Sequence, residues 1–180
     1  MALTLEPGVA VEAGRYTALV SPPDFLVDVL LQPEVDRFET LYCYGVGSRV
    51  LGRLPRQAPR IALQSCMTVH QLLASLREAH QSIVIVEYDD GIFSPLEGDD
   101  RDVIFAVGRT LRELAREAAV LIWAPRGDRG QRALLITADQ VVWHYDERPT
   151  RSVVRPRRSR AVQTTFAEEG WDSPLSCCRR

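Results

Sequence analysis

The sequence contains no lysine, and all 22 of its basic residues are arginine. A lysine ammonium forms Schiff bases with carbonyl substrates and contacts the phosphates in P-loop nucleotide hydrolases. Schiff-base chemistry, a lysine general base and a P-loop ammonium are therefore all excluded for this chain.

Long apolar runs are also lacking. No segment approaches the roughly 18 apolar residues needed to cross a bilayer. Residues 1–11 have no basic segment followed by an apolar core, which a signal peptide would require. We therefore predict a cytoplasmic protein with no membrane contact.

Metal-binding spacings are absent as well. The four cysteines form no CxxC or Cys/His pattern, and the three histidines are scattered along the chain: Cys43, Cys66, Cys177 and Cys178; His70, His80 and His144. We expect buried or idle thiols, structural histidines, no metal and no cofactor.

The composition is that of a globular protein, with 46% hydrophobic residues and a formal charge of −2. Residues 82–88 (SIVIVEY) form a continuous β-branched run, typical of a strand buried on both faces. Strands alternate with helical patterns up to residue 124, which indicates a mainly parallel sheet between helices. The predicted strands are residues 15–20, 38–44, 60–64, 82–88 and 120–124; the predicted helices begin after Ser21, at the Thr68/Gln71 capping box and at Asp102.

Three further short strands are predicted near the end, at residues 140–145, 152–154 and 161–166. The fold class is therefore α/β, a three-layer fold with a mainly parallel central sheet and a small antiparallel C-terminal extension. We predict one domain over residues 1–166 and a loose tail over residues 167–180.

The turn after the first of these strands reads Ser21-Pro22-Pro23-Asp24. A phosphate cradle needs glycines with converging N–H groups, but the two prolines have no N–H and Asp24 adds a negative charge. We therefore expect this turn not to bind the phosphates of a nucleotide. Asp24 is more simply explained as a capping or first-turn residue of the helix that follows.

An acidic group follows the strand at residues 82–88. Glu87 ends that strand and Asp89 and Asp90 come next, within a segment of seven acidic residues up to Asp102. Such carboxylates hold Mg²⁺ or orient water in nucleotide hydrolases. The alternative is a solvated acidic loop, since no calcium-loop spacing is present.

A basic group lies near the end of the chain, where six arginines occur with no acidic residue among them. Six guanidinium groups can neutralise several phosphates or bind an acidic protein partner. The alternative is an exposed hairpin kept soluble by charge. This group, called here the arginine stripe, consists of Arg148, Arg151, Arg155, Arg157, Arg158 and Arg160. Trp143, His144 and Tyr145 lie nearby for base stacking, although Trp143 is more simply explained as a core residue.

Several segments in order resemble the RecA/KaiC/RadA-type ATPase domain family, a P-loop NTPase fold. They are QSIVIVEYDD, GRTLRELAREAAV, VLIWA, ADQVVWHY and SVVRPRR, within a resemblance that covers residues 15–166. In this resemblance Glu87 corresponds to the Walker B aspartate, with Asp89 and Asp90 beside it, and Arg155 and Arg157 correspond to a basic K-x-R strand. VSPPDF stands where the family has its Walker A lysine loop, and the segment of the family's catalytic carboxylate is not recognisable.

The resemblance implies a degenerate member that lacks the Walker A motif and does not hydrolyse ATP. Such a chain is expected to act as a pseudo-ATPase adaptor or regulatory subunit in recombination or repair. Its expected partners are a RecA-like ATPase subunit and single-stranded DNA, with no catalytic residues of its own. Two alternatives stay open: a small-ligand or metal-dependent enzyme that uses the acidic loop after Val86, and a homo-oligomer in which the arginine stripe meets the acidic loop.

Overall fold

The computed structural model describes residues 2–6, 9–54, 61–93, 101–126, 131–145 and 160–164, and gives the backbone alone at 6, 101, 145 and 160–164. Nine strands and five α-helices are found in these ranges. The strands are β1 Ala2–Glu6, β2 Val9–Glu12, β3 Tyr16–Val20, β4 Thr40–Tyr44, β5 Ile61–Ser65, β6 Ile83–Glu87, β7 Ala119–Ala124, β8 Gln140–Tyr145 and β9 Arg160–Thr164. The helices are α1 Pro23–Leu30, α2 Val69–Glu78, α3 Asp90–Phe93, α4 Arg101–Leu114 and α5 Arg132–Thr137.

The central sheet has seven strands in the order β5-β4-β6-β7-β3-β8-β9. The first six are parallel to one another, and β9 alone is antiparallel, paired with β8. All described side chains of β3, β6 and β7 are buried. That burial explains their continuous apolar runs, because a parallel strand covered on both faces has no polar side. The predicted α/β fold with a mainly parallel sheet is confirmed.

Alternate residues of the sheet contribute to two separate cores. On one face Val84 and Val120 pack with the apolar sides of α2, α4 and α5. On the other, Ile85 and Leu121 pack with α1, the β1–β2 hairpin and Val35, which belongs to a short 3-10 helix. The molecule therefore has three layers, as the sequence predicts.

The prediction for the end of the chain needs correction. β8 was predicted within the antiparallel extension, but it is parallel to β3, and only β9 is antiparallel. Helix α5, in a segment for which no helix or strand was predicted, lies between β7 and β8 and makes this crossover possible. Residues 152–154 and the tail at 167–180 lie outside the described residues, so the domain boundary stays a prediction.

The N-terminal hairpin was not predicted either. β1 and β2 pair antiparallel, and each turns alternate side chains into the core: Leu3, Leu5, Val9 and Val11. The side-chain amide of Gln32 donates to the Thr4 carbonyl at 2.8 Å, which links the hairpin to the residues after α1. The hairpin thus completes the layer that contains α1. Within the described ranges, no helix is long and apolar enough to cross a membrane.

Gly108 allows close packing of α4 against α5. A Cβ at this position would lie 2.9 Å from both Cβ and Cγ2 of Thr137, closer than van der Waals contact permits. We expect Gly108→Ala to lower the free energy of unfolding by about 1–2 kcal/mol, because overpacking outweighs the gain in helix propensity. Urea denaturation measures this loss.

A matched control is Gly52→Ala, since a Cβ at Gly52 has open space around it. It should leave the stability within about 0.5 kcal/mol of wild type. Adding Thr137→Ala to Gly108→Ala should recover part of the loss. Equal stability of Gly108→Ala and wild type would contradict the close helix packing.

Candidate functional site

The carboxyl ends of four parallel strands meet at one edge of the sheet. Register brings Val20 beside Ala124, Trp123 beside Glu87, and Val86 beside Cys43. The turn after β3, the residues after β4 and the acidic segment after β6 are therefore neighbours. In doubly wound sheets ligands bind at this edge, where the strand connections change direction.

The turn after β3 is closed by hydrogen bonds within the protein. The Ser21 backbone N–H donates to the Ala124 carbonyl at 3.1 Å, and the Trp123 indole N–H donates to the Ser21 hydroxyl oxygen at 2.9 Å. Helix α1 begins at Pro23, only two residues beyond Ser21. Ser21 is buried, and Asp24 pairs with Arg53 at the surface. The two prolines of the turn have no N–H to donate to an anion, and the Ser21 hydroxyl already accepts a hydrogen bond from Trp123.

Glu87 is buried at the end of β6, with 2% of its surface exposed. Its carboxylate accepts three hydrogen bonds: from the Tyr42 hydroxyl at 2.8 Å, the Ser48 hydroxyl at 2.5 Å and the Arg49 backbone N–H at 2.6 Å. Three donors compensate for burying a charged carboxylate, and hydrogen bonds to charged groups are among the stronger ones in proteins. Glu87 therefore holds the residues that follow β4 in place through hydrogen bonds.

Asp89 also forms a hydrogen bond to the segment that follows β4. One carboxylate oxygen accepts from the Gly47 backbone N–H at 3.1 Å, and the other accepts from the Gly91 N–H at 2.8 Å. Gly45 lies directly against this carboxylate, leaving no room for a side chain. Residues 45–49, called here the β4 loop, are thus held by both carboxylates.

Asp90 differs from its two neighbours. It is exposed and begins the short helix α3, where a negative charge favours the helix N-terminus. Of the three acidic residues singled out by the sequence, the structure brings Glu87 and Asp89 together on the β4 loop and leaves Asp90 at the surface.

The pKa of Tyr42 is shifted by its burial next to Glu87. Burial, reinforced by the adjacent Glu87 carboxylate, raises the pKa of Tyr42 well above its usual value. Burial likewise raises the pKa of Tyr16. Both phenols therefore stay protonated in the folded protein at pH values where free tyrosine ionises.

This perturbation predicts alkaline unfolding. Unfolded tyrosines lose their protons near pH ~10, whereas folded Tyr16 and Tyr42 retain theirs. Above that pH the unfolded state binds fewer protons, so stability is unaffected below about pH 10 and falls as the pH rises further. Phenolate absorbance should show at least two of the five tyrosines ionising only as the chain unfolds. Ionisation of all five with the fold intact would contradict the burial, and Tyr42→Phe should remove one delayed group.

The residues at this edge do not fit a magnesium–nucleotide. Three protein donors engage Glu87, Asp89 holds two backbone N–H groups, and two prolines occupy the turn where phosphate-binding N–H groups would be needed. No cluster of three metal-binding side chains occurs in the described part of the chain.

The arginine stripe lies mostly outside the described residues: Arg148, Arg151, Arg155, Arg157 and Arg158. Arg160 begins β9, where its backbone pairs with Tyr145. The proposed binding role of these six arginines remains a prediction. Close by, Trp143 packs partly buried against the core, and the His144 ring stacks on Phe25 with centroids 3.9 Å apart.

Sequence reasoning missed the residues that hold Glu87. Tyr42 is a core position of β4, and the Arg49 donor is a backbone N–H that no sequence pattern reports. The one available signal was the Gly45-Val46-Gly47-Ser48 segment after a strand, because glycines at such a place indicate close backbone approach.

Comparisons with known proteins agree with the fold. The chain is similar to the crystal structure of the KaiC-like protein PH0186 from Pyrococcus horikoshii OT3, with a TM-score of 0.59, 14% identity, and coverage of 87% of this chain and 81% of that one. It is also similar to the RadB recombinase, with a TM-score of 0.55, 11% identity, and coverage of 79% and 82%. No family model matches the sequence, and no curated protein matches it. The fold is therefore that of a RecA/KaiC-type ATPase domain.

Proposed function

We propose that this chain is a non-catalytic RecA-like domain, an adaptor or regulatory subunit that acts through its surfaces and does not hydrolyse ATP. The observation that carries the proposal is the engagement of Glu87 by Tyr42, Ser48 and Arg49. A carboxylate at the end of this strand would have to hold magnesium or orient water in a nucleotide hydrolase. Here it stabilises a loop.

The turn after β3 supports the same conclusion. Phosphoryl transfer depends on N–H groups and cations that neutralise the phosphates. Pro22 and Pro23 have no N–H, the Ser21 hydroxyl accepts from Trp123, and the chain has no lysine. The two requirements of the reaction, a phosphate cradle and a metal-holding carboxylate, are thus both unmet by these residues.

The expected setting is recombination or repair, beside an active RecA-like ATPase. One of the similar structures is named a recombinase. The resemblance to the RecA/KaiC/RadA-type family further implies head-to-tail assembly of such domains. In this setting the arginine stripe binds single-stranded DNA or an adjacent subunit, where an arginine supplied in trans can stabilise transferring phosphate. The alternative of a metal-dependent enzyme has less support, because Glu87 and Asp89 both bind protein donors.

Nucleotide binding tests the non-catalytic proposal. We expect no saturable binding of a fluorescent ATP analogue with Mg²⁺ at millimolar concentration, and no rise in melting temperature with ATP and Mg²⁺. Ligand binding to the folded state would stabilise it by mass action, so an unchanged melting temperature is informative. Saturable Mg²⁺-dependent binding, or ATP turnover by the purified chain, would overturn the proposal.

The arginine stripe is tested separately with the double variant Arg155→Ala/Arg157→Ala. Anisotropy of a labelled single-stranded oligonucleotide across a salt series should show weaker binding and a salt dependence reduced by about one unit of slope per lost phosphate contact. Arg77→Ala/Arg116→Ala is the matched control, since both arginines are exposed elsewhere, Arg77 on α2 and Arg116 just after α4. It should change neither the affinity nor the slope.

The outcome identifies the partner class. If wild type does not bind the oligonucleotide at low salt, the DNA role is wrong. Stimulation of a RecA-like ATPase by wild type, lost in Arg155→Ala/Arg157→Ala and kept in the control, would then support a protein partner. Equal stimulation by all three proteins would remove the stripe from the proposal altogether.

A further inference from the structure

Strand β5 is an edge strand of the central sheet, and its outer side has no pairing strand among the described residues. Within the described ranges it pairs only with β4, and the side chains at positions 62–65 are exposed on both faces. Leu63 exposes 54% of its surface, and Met67, just after the strand, exposes 58%. The strand sequence IALQS contains no charge and no proline. Soluble proteins usually protect an edge strand with one of these devices, so this edge is expected to be covered.

The backbone of β5 shows which groups face outward. The N–H of Cys66 donates to the Tyr44 carbonyl at 2.8 Å, and backbone groups alternate in direction along a strand. Ala62 and Gln64 therefore bond to β4, whereas Ile61, Leu63 and Ser65 direct their N–H and C=O groups away from the sheet. These outward groups can accept another extended strand, and the Ser65 carbonyl has a second lone pair for it beside the Gln64 side-chain amide, which donates to this carbonyl at 3.1 Å.

The chemistry of the edge restricts what covers it. No basic residue lies on β5, so the strand has no group to neutralise phosphate, and a nucleic acid does not fit. A strongly charged peptide finds no opposite charge there. The other edge of the sheet is different, because β9 begins with Arg160 at the end of the arginine stripe.

We infer that β5 pairs antiparallel with β5 of a second copy of this chain, about a two-fold axis at Leu63. The outward-facing residues lie symmetrically around Leu63, so Leu63 meets its equivalent and Ile61 meets Ser65, each pair exchanging backbone hydrogen bonds. The single leucine of the strand, which is exposed, lies on the axis, and no like charges face each other. The result is a dimer with one continuous sheet across both copies.

The test is the mass of the full chain, measured by light scattering and sedimentation over a concentration series. We expect a concentration-dependent dimer, and Leu63→Lys should weaken self-association at least tenfold, about the effect of placing two like charges on the axis. Ile136→Lys is the matched control, since Ile136 lies on α5 with 51% exposure and should leave the dimer unchanged. Circular dichroism and melting temperature establish that each variant is folded.

A second variant tests the backbone pairing itself. Leu63→Pro removes an outward N–H that does not serve the pairing with β4, so the fold should persist while the dimer is lost. High salt distinguishes this dimer from one formed by the arginine stripe and the acidic loop. Surface charges are screened beyond about 3 Å in 1 M salt, so a dimer formed by the uncharged β5 strands should persist there.

Three results would overturn the inference: a monomer at every concentration, a dimer that Leu63→Lys leaves intact, or a dimer that high salt dissociates. The first would mean that another segment or another protein covers β5. None of these measurements uses nucleotide, DNA or an ATPase partner, so failure of the dimer leaves the proposed adaptor role standing.

Discussion

Glu87→Ala is expected to lower the free energy of unfolding by about 3–5 kcal/mol, one of the largest single-residue effects in this fold. Removal of the carboxylate leaves the buried Tyr42 hydroxyl without its acceptor, and likewise the partly buried Ser48 hydroxyl and Arg49 N–H. Each unsatisfied donor carries its own desolvation cost. Urea denaturation with a constant m-value measures the loss directly.

Graded variants distinguish a structural carboxylate from a ligand-binding one. Gln at position 87 keeps one acceptor oxygen for the Arg49 N–H, and its amide can donate to a hydroxyl, so Glu87→Gln should cost only about 1–2 kcal/mol. Tyr42→Phe removes one of the three bonds and should cost about 1 kcal/mol. The control is Glu113→Ala, which removes the same charge from an exposed face of α4.

The opposite result has a definite meaning. If Glu87→Ala unfolds within about 0.5 kcal/mol of wild type, like the Glu113→Ala control, the carboxylate does not hold the β4 loop. A metal-binding role for Glu87 would then regain its support, and the nucleotide experiments would become the deciding ones.

The sheet was predictable because its inner strands are buried on both faces. Burial on both sides forces a continuous apolar run, which the sequences of β3, β6 and β7 display. The helix α2 was predictable from its cap, and the Thr68 hydroxyl indeed accepts from the Gln71 N–H. Both signals are local and survive without knowledge of tertiary contacts.

The elements that were missed carry weaker signals. Helix α5 has six residues, less than two turns, so a period of 3.6 cannot be recognised in it. Each strand of the β1–β2 hairpin has only two buried apolar residues, and the core that they complete comes from distant elements. Without α5, β8 had no crossover, and an antiparallel strand was the simplest interpretation.

The candidate site was also predictable only in part. The position of Glu87 at a strand end follows from the apolar run before it, and the structure agrees with that placement. What its carboxylate binds depends on the path of the backbone after β4, and above all on one N–H, that of Arg49. Side-chain patterns carry no information about such a donor, so the hydrogen bonds that hold the Glu87 carboxylate could not be predicted.

Gly45→Ala is the second substitution with a large expected effect. A Cβ at this position would lie 2.6 Å from Cγ and 2.8 Å from Cβ of Asp89, and this carboxylate is held by Gly47 and Gly91. The overlap must displace either the β4 loop or Asp89, with loss of the hydrogen bonds between them. We expect a loss of about 3 kcal/mol in the free energy of unfolding.

A double-mutant cycle with Asp89 assigns this loss to the contact. Asp89→Gly removes the overlapping atoms, so Gly45→Ala should cost at most about 1 kcal/mol in that background, and the coupling between the two positions should reach about 2 kcal/mol. Gly47→Ala serves as the neighbouring control, because its Cβ would lie 3.5 Å from the same carboxylate oxygen, an ordinary contact. Additive effects would show that the β4 loop does not rest on Asp89. Coupling would show instead that the carboxylates after β6 act together as the support of this loop, which is the physical basis for assigning them a structural role in place of a catalytic one.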